Sequence, residues 1–175
     1  MNTTYKAAPT SKRRIEEYAN QIRERCGFQN TKCFPIMHFL EIVLAQFFPD
    51  MSLLIVEPED MPFKEAETVP GPSLIRIRQD VYDAATEGDG RARFTIAHEV
   101  GHFLMHTPDS IVLCRMEAGT VMKAYEDPEW QANTFAGYLL APTTLASGLT
   151  KQEIMQQFQL SEKAAKVVAS RCKQA

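Results

Sequence analysis

The stretch at residues 94–106, Phe-Thr-Ile-Ala-His-Glu-Val-Gly-His-Phe-Leu-Met-His, constrains this chain more than any other part of its sequence. On an α-helix, residues four apart share one face, about 6 Å apart along the axis. His98 and His102 can therefore direct two imidazoles at one ion, and Glu99 is placed to act on a water bound to it. The H-E-x-x-H spacing is typical of zinc hydrolases, but it also occurs by chance. It requires a surrounding helix and a third ligand further along the chain.

Helical spacing of apolar residues accounts for much of the rest of the sequence. Such spacing predicts one helix that begins after Ser11 and ends at Gly27, and a second that Pro35 opens. Pro128 opens a later helix over residues 129–140, and residues 150–173 form two short amphipathic helices. These helices flank the helix that carries the histidine pair.

Shorter apolar runs predict strands. Residues 52–56 and 111–115 have strand composition, and residues 74–79 alternate isoleucine with arginine. The alternation suits a half-buried strand, for which an edge position is one interpretation. Residues 57–72, rich in proline and acids, predict a loop. The fold class is therefore α+β, with a small mixed or antiparallel sheet packed on the histidine-bearing helix.

Composition limits the domain count and the compartment. A chain of 175 residues that is 45% apolar can bury one core, and its net charge of −3 gives no sign of a nucleic-acid coat. With no membrane span or signal peptide, we expect a cytosolic protein whose four cysteines stay thiols. We expect a single domain over residues 1–175, divided into flexible residues 1–10, N-terminal helices 11–49, a catalytic core 50–142 and a C-terminal helical tail 150–173.

His106 is not a suitable third ligand. It lies two turns beyond His98 on the same helix, about 12 Å along the axis, and cannot reach the same ion. It also lacks the glycine turn that brings a third histidine round in metzincins. We interpret it as a helix-end histidine near the negative end of the helix dipole.

Glu129 is the better third ligand. Pro128 sets it in the first turn of a helix whose small apolar residues allow close approach to the histidine-bearing helix. Asn133 lies one turn further on the same side, where it can orient a ligand histidine. Glu126 and Asp127 are rivals on composition, but they precede the helix.

Two stretches together, residues 93–106 and residues 129–142 (Glu-Trp-Gln-Ala-Asn-Thr-Phe-Ala-Gly-Tyr-Leu-Leu-Ala-Pro), resemble the ImmA/IrrE family of metallopeptidases. The resemblance covers roughly residues 50–142, and two motifs are far more specific than one. The family's usual Leu-Leu-Met-Pro ending is Leu-Leu-Ala-Pro here, which is a change in packing.

The resemblance implies a zincin-like fold with one Zn²⁺ held by His98, His102 and Glu129, and with Glu99 as the catalytic base. Family members cleave helix-turn-helix repressors of the Xre type, usually encoded beside them, and so switch on phage, mobile-element or stress genes. We therefore expect an Xre-type repressor as substrate, and activation by single-stranded DNA or another damage or infection signal.

The tetrahedral oxyanion of peptide hydrolysis needs a further hydrogen-bond donor. Tyr125, Tyr138 and Arg91 are candidates, and the sequence does not choose among them. An extended peptide could add along the edge of the strand at residues 74–79. This placement depends on the strand pattern alone.

Cys114 follows His102 by twelve residues, where the chain turns back past the expected zinc. A thiolate is an excellent zinc ligand, so Cys114 in the fourth position would displace the water and hold the enzyme off. The alternative is an ordinary buried cysteine that packs as a small hydrophobe.

The rival function is a zinc-containing regulatory protein that binds a repressor or DNA without hydrolysis. Glu99 favours the enzyme, because a pure binding site needs no base beside its ligand. The tail around Leu160 and Ser161 faintly resembles a helix-turn-helix, but it is not basic enough to predict DNA binding. We interpret the tail as a packing element or a surface for a partner.

Overall fold

The computed structural model describes residues 4–69, 71, 73–106, 111–114 and 122–173, with only the backbone described for residues 4, 5 and 111–114. Helices pack on a small mixed sheet, which confirms the α+β class. In chain order the elements are β1 Thr4–Ala7, α1 Lys12–Arg25, α2 Ile36–His38, a π-helical segment Phe39–Val43, α3 Leu44–Phe47, β2 Ser52–Val56, a 3-10 turn Pro58–Asp60, β3 Ala66–Val69, β4 Leu74–Arg78, α4 Gln79–Thr86, α5 Gly90–Met105, β5 Ile111–Cys114, a 3-10 turn Ala124–Glu126, α6 Pro128–Leu140, α7 Thr143–Ala146, α8 Lys151–Phe158 and α9 Glu162–Cys172.

The main sheet has the order β2-β4-β3, with β2 parallel and β3 antiparallel to β4. The edge interpretation of residues 74–79 is therefore wrong, because β4 is the central strand. Its alternation arises because Ile75 and Ile77 are fully buried, while Arg76 forms an ion pair with Glu67 on β3. The loop predicted over residues 57–72 contains β3, so the sheet edge lies in a segment that local composition did not mark as a strand.

The N-terminal segment also differs from expectation. Residues 4–7 form β1, which pairs antiparallel with β5 in the register Thr4 to Cys114 and Ala7 to Ile111. The sequence predicts flexibility for residues 1–10, whereas these four residues form a paired strand. Backbone pairing with a strand more than a hundred residues away holds them, and local sequence carries no signal of such a partner.

The helices α5 and α6 approach each other unusually closely. The apolar face of α6 is fully buried at Ala132, Phe135 and Ala136. A β-carbon at Gly101 of α5 would lie 3.1 Å from Phe135 Cδ1 and 3.2 Å from the Cα of Ala132. Glycine at this position therefore lets the backbone of α6 come almost into contact with that of α5, as the small residues of α6 predicted.

Two arginines cap the C-terminal end of α6. Arg23 of α1 is buried, and its Nη1 donates to the carbonyl of Leu139 at 2.5 Å. Arg171 of α9 donates to the carbonyl of Ala141, and its guanidinium lies over the ring of Tyr138 at 4.0 Å. The last carbonyls of a helix have no partner within the helix, so these arginines satisfy them and favour the negative end of the dipole.

The turn between the C-terminal helices α8 and α9 packs on the start of α5. Thr150 opens α8 with a capping box, and Gln159 takes a left-handed conformation at the turn between the two helices. A β-carbon at Gly90 would lie 2.5 Å from the backbone of Leu160 and Ser161. The two predicted tail helices are confirmed, and they hold the first turn of the histidine-bearing helix. The short helix α4 was not predicted.

Candidate metal centre

α5 sets the two histidines one turn apart on a single face. The helix begins cleanly, because the side chain of Asp89 accepts hydrogen bonds from the N–H groups of Arg91 and Ala92. The Nε2 atoms of His98 and His102 face each other at 2.9 Å. This is the arrangement that the four-residue spacing predicted.

α6 brings a carboxylate to the same point. Asp127 caps the helix by accepting a hydrogen bond from the N–H of Glu129. The side chain of Glu129 therefore projects from the first turn of α6. Its two carboxylate oxygens lie 3.3 Å from Nε2 of His98 and 3.3 Å from Nε2 of His102. Among the described side chains, these three form the one group of at least three histidine, cysteine or acidic residues whose ligand atoms all lie within 4.8 Å of one another.

The donor set fits a tetrahedral zinc. Ligand atoms at about 2.0–2.1 Å from such an ion lie roughly 3.3 Å from one another, close to the separations of 2.9 and 3.3 Å between these three side chains. Two imidazoles and one carboxylate also leave a fourth position open, as in catalytic zinc sites. The side chain of Glu129 is 68% exposed, so the group is accessible from solvent.

The protonation of these groups is coupled. Hydrogen bonds from His102 and His98 hold the pKa of Glu129 well below its usual range, so its carboxylate is ionised at neutral pH. Burial lowers the pKa of His98, but the hydrogen bond to Glu129 and the charges of Glu99 and Glu129 outweigh it and raise that pKa overall. A cation takes the place of these protons, so its affinity will fall as pH decreases.

Each histidine has a partner on its other nitrogen. Nδ1 of His98 donates to Oδ1 of Asn133 at 3.1 Å, which is where the sequence placed Asn133. Nδ1 of His102 lies 2.9 Å from Nδ1 of His106, and His106 lies 3.1 Å from Gln131. Such contacts fix the ring orientation and tautomer of a metal-binding histidine.

His106 has a place that the sequence only partly indicated. It is the C-terminal cap residue of α5 and lies outside the group of three facing donors, as predicted. However, its side chain is buried rather than exposed at the helix end, and burial lowers its pKa to about 4. The imidazole is therefore neutral at physiological pH.

Glu99 is buried beside the histidines and is held by Thr68 on β3. The Thr68 hydroxyl lies 2.8 Å from Oε2 and 2.9 Å from the backbone carbonyl of Glu99, and it donates to one of them at a time. The contact links the base candidate to the sheet edge. Thr68 was missed, because its strand lies in the segment predicted as a loop.

The described contacts of the three oxyanion candidates are with residues other than the histidines and Glu129. Tyr138 is buried against Arg171, nine residues and thus half a turn round α6 from Glu129. Arg91 is ion-paired with Glu65. Tyr125 is 41% exposed and contacts Lys123 through its ring. No described contact joins any of the three to His98, His102 or Glu129.

Only the backbone of Cys114 is described. Its backbone closes β5 opposite Thr4, but its side chain lies outside the described residues. Its proximity to the histidines is therefore not tested, and the inhibitory thiolate stays a prediction.

A helix with two facing histidines, a carboxylate from a second helix and a small mixed sheet define a metallopeptidase domain of the zincin-like class. Residues 72–170 match the family described as Peptidase_M78, the IrrE N-terminal-like domain. The match spans more than half of the chain, and the protein belongs to this family. The resemblance to ImmA/IrrE metallopeptidases is thereby confirmed.

Comparison with curated proteins gives no match. Within the described part of the chain, none of the helices has both the length and the apolar composition needed to cross a bilayer.

Proposed function

We propose that the protein is a zinc-dependent endopeptidase that cleaves an Xre-type helix-turn-helix repressor. The observation that carries the proposal is the facing triad of His98, His102 and Glu129, with the buried carboxylate of Glu99 next to it in the chain. The family match supports a metallopeptidase, and zinc and the repressor are the finer parts of the proposal. Action on a transcriptional repressor places the protein in the cytoplasm.

The chain's own residues divide the reaction between them. His98, His102 and Glu129 would hold the ion, which supplies a Lewis acid that acidifies water and polarises the scissile carbonyl. Glu99 accepts a proton from the attacking water and returns it to the leaving amine. When the Thr68 hydroxyl donates to Oε2, it orients the Glu99 carboxylate for both transfers.

The exposed edge of β3 is the surface we assign to the substrate. Glu65 accepts from the N–H of Arg78, so alternate residues of β3 bond to β4 and the N–H and C=O groups of Ala66 and Thr68 point to the other side. Among the described strands, β3 pairs with β4 alone. An extended peptide can therefore add beside Thr68, next to the base, rather than along β4 as the sequence suggested.

Ala66→Pro tests this placement. Proline removes an N–H from the free edge and leaves the bonds to β4 intact, so we expect cleavage to fall at least tenfold with little change in thermal stability. Unchanged cleavage by a folded variant would contradict peptide addition at β3.

Cys114 and the trigger complete the proposal. Cys114 on the ion would occupy the open position and keep the enzyme inactive until single-stranded DNA or another damage or infection signal releases it. If this holds, Cys114→Ser cleaves without a trigger, whereas the wild type requires one. Equal activity of the two proteins would eliminate the thiolate switch and leave the peptidase untouched.

The central experiment combines the purified protein with the repressor encoded by its neighbouring gene. Wild type, Glu99→Gln and Cys114→Ser are incubated side by side, with and without single-stranded DNA, and zinc content is measured in each. Fragments that the wild type or Cys114→Ser produces, and that are absent with Glu99→Gln, support the peptidase. Stable repressor binding with stoichiometric zinc and no fragments under any condition favours the non-hydrolytic regulator.

A further inference from the structure

The side chain of His106 contacts the nitrogen of His102 that faces away from the triad. The two rings lie with centroids 5.0 Å apart, and their Nδ1 atoms are 2.9 Å apart. Only 4% of His106 is exposed, so no solvent competes for this contact. His106 thus lies behind a ligand position, on the side remote from the open face of the site.

The chemistry of the triad fixes the direction of this hydrogen bond. Nε2 of His102 faces His98 and Glu129, and it can bind a cation only when it carries no proton. The remaining proton of a neutral His102 is then on Nδ1, which donates to Nδ1 of His106. His106 must accept there, so its own proton is on Nε2, 3.1 Å from Oε1 of Gln131.

Gln131, at the far end of this series of hydrogen bonds, independently gives the same direction for the bond between His102 and His106. Gln131 is 2% exposed, and its amide nitrogen donates to the carbonyls of Ala8 at 2.9 Å and Tyr125 at 2.8 Å. Both partners are acceptors, so the amide cannot be reversed, and its oxygen must face His106 as an acceptor. A buried line of hydrogen bonds therefore runs from His102 through His106 and Gln131 to two backbone carbonyls, with every proton assigned.

We propose that His106 and Gln131 are positioning residues that hold His102 in the ring orientation and tautomer required of a metal ligand. The proposal rests on the proposed function for the presence of the ion. It extends that function, because it gives His102 a buried support through a second histidine, whereas His98 is supported by Asn133. Loss of an outer partner of a metal-binding histidine typically weakens metal affinity 10–100-fold.

A matched pair of variants distinguishes a hydrogen-bonding role of His106 from a role in packing alone. His106→Leu fills a similar volume without an acceptor, whereas His106→Asn retains an oxygen near the position of Nδ1. Zinc affinity is measured by competition with a chelator, the ligand field by the visible spectrum of the cobalt-loaded protein, and folding by circular dichroism. We expect His106→Leu to bind zinc 10–100-fold more weakly with an altered cobalt spectrum, and His106→Asn to recover most of the affinity.

The outcomes are distinct. If His106→Leu is folded and binds zinc as the wild type does, or if both variants are weakened equally, positioning by His106 is refuted while the proposed function stands. If the wild type itself binds no zinc, both the proposed function and this inference are refuted.

Should His106→Leu fail to fold, nitrogen NMR of the zinc-loaded wild type labelled in histidine decides the question. We expect His106 to be protonated on Nε2 and bare on Nδ1. A proton on Nδ1 of His106 would overturn the proposal without any substitution.

Discussion

A β-carbon at Gly101 would lie only 3.2 Å from the Cα of Ala132, so the backbones of α5 and α6 are almost in contact at this point. Gly101 precedes His102, and Ala132 is one turn after Glu129. This close approach of the two helices therefore lies beside the point at which their ligand atoms meet. The distance between helix axes determines whether the carboxylate reaches the imidazoles.

We expect Gly101→Ala to destabilise the protein by about 1 kcal/mol and to weaken zinc binding about tenfold. Alanine favours a helix by roughly 0.8–1 kcal/mol over glycine, but overpacking a core costs about 1–3 kcal/mol. Gly137→Ala on α6 is the control, because its β-carbon would meet only a guanidinium nitrogen of Arg171 at 3.6 Å. Denaturant unfolding checks both variants, and a Gly101→Ala protein more stable than wild type would contradict the close contact.

Thr68→Val should lower kcat about tenfold and leave zinc affinity unchanged. Valine has nearly the shape of threonine, but it removes the hydroxyl that donates to Glu99. The buried carboxylate then loses an orienting bond while the triad keeps its geometry. Steady-state cleavage of the repressor measures the effect, with Thr86→Val, whose hydroxyl bonds locally to Tyr82, as the control. A fall in zinc affinity instead of kcat would place Thr68 in metal binding.

Removal of zinc should lower the thermal stability of the wild type, since a ligand at 100 times its Kd contributes about 2.7 kcal/mol. Glu129→Gln replaces the charged ligand and should abolish most of this difference. Glu162→Gln is the matched control, because Glu162 also lies in the first turn of its helix but pairs with Lys151. Differential scanning calorimetry with zinc and with chelator checks the three proteins, and an undiminished zinc effect in Glu129→Gln would remove Glu129 from the ligand set.

The metal-free protein should lose stability as pH falls from 6.5 toward 4. His106 has a folded pKa lowered to about 4, whereas an unfolded histidine titrates near 6.5, so in this window the unfolded chain binds the proton and the folded protein does not. The resulting loss in the free energy of unfolding is up to about 3 kcal/mol. The pKa of His98 is raised, so its contribution has the opposite sign. Urea unfolding at pH 7 and pH 5 gives the change in the free energy of unfolding for wild type and for His106→Leu. The difference between the two changes isolates the effect of His106, and equal changes in the two proteins would contradict it.

The sequence predicted those parts of the site that local geometry determines. His98 and His102 share a face because a helix has 3.6 residues per turn, and Asn133 follows Glu129 by one turn for the same reason. Thr68 could not be found, because its strand exists through pairing with β4. The buried partner of His106 could not be found either, because Gln131 reaches it only when α6 packs on α5. The contacts of Thr68 and Gln131 with residues distant in the chain left no signal in the local sequence.

The two arginine caps on α6 have a consequence for the order in which the site is assembled during synthesis. The histidine pair belongs to one helix and can form once residues 90–105 have left the ribosome. The helix that carries Glu129 acquires its second cap only when Arg171 has been made and folded back. A nascent chain therefore presents two imidazoles before its carboxylate is held in place, and the fully capped helix arises only after residue 171 has been added.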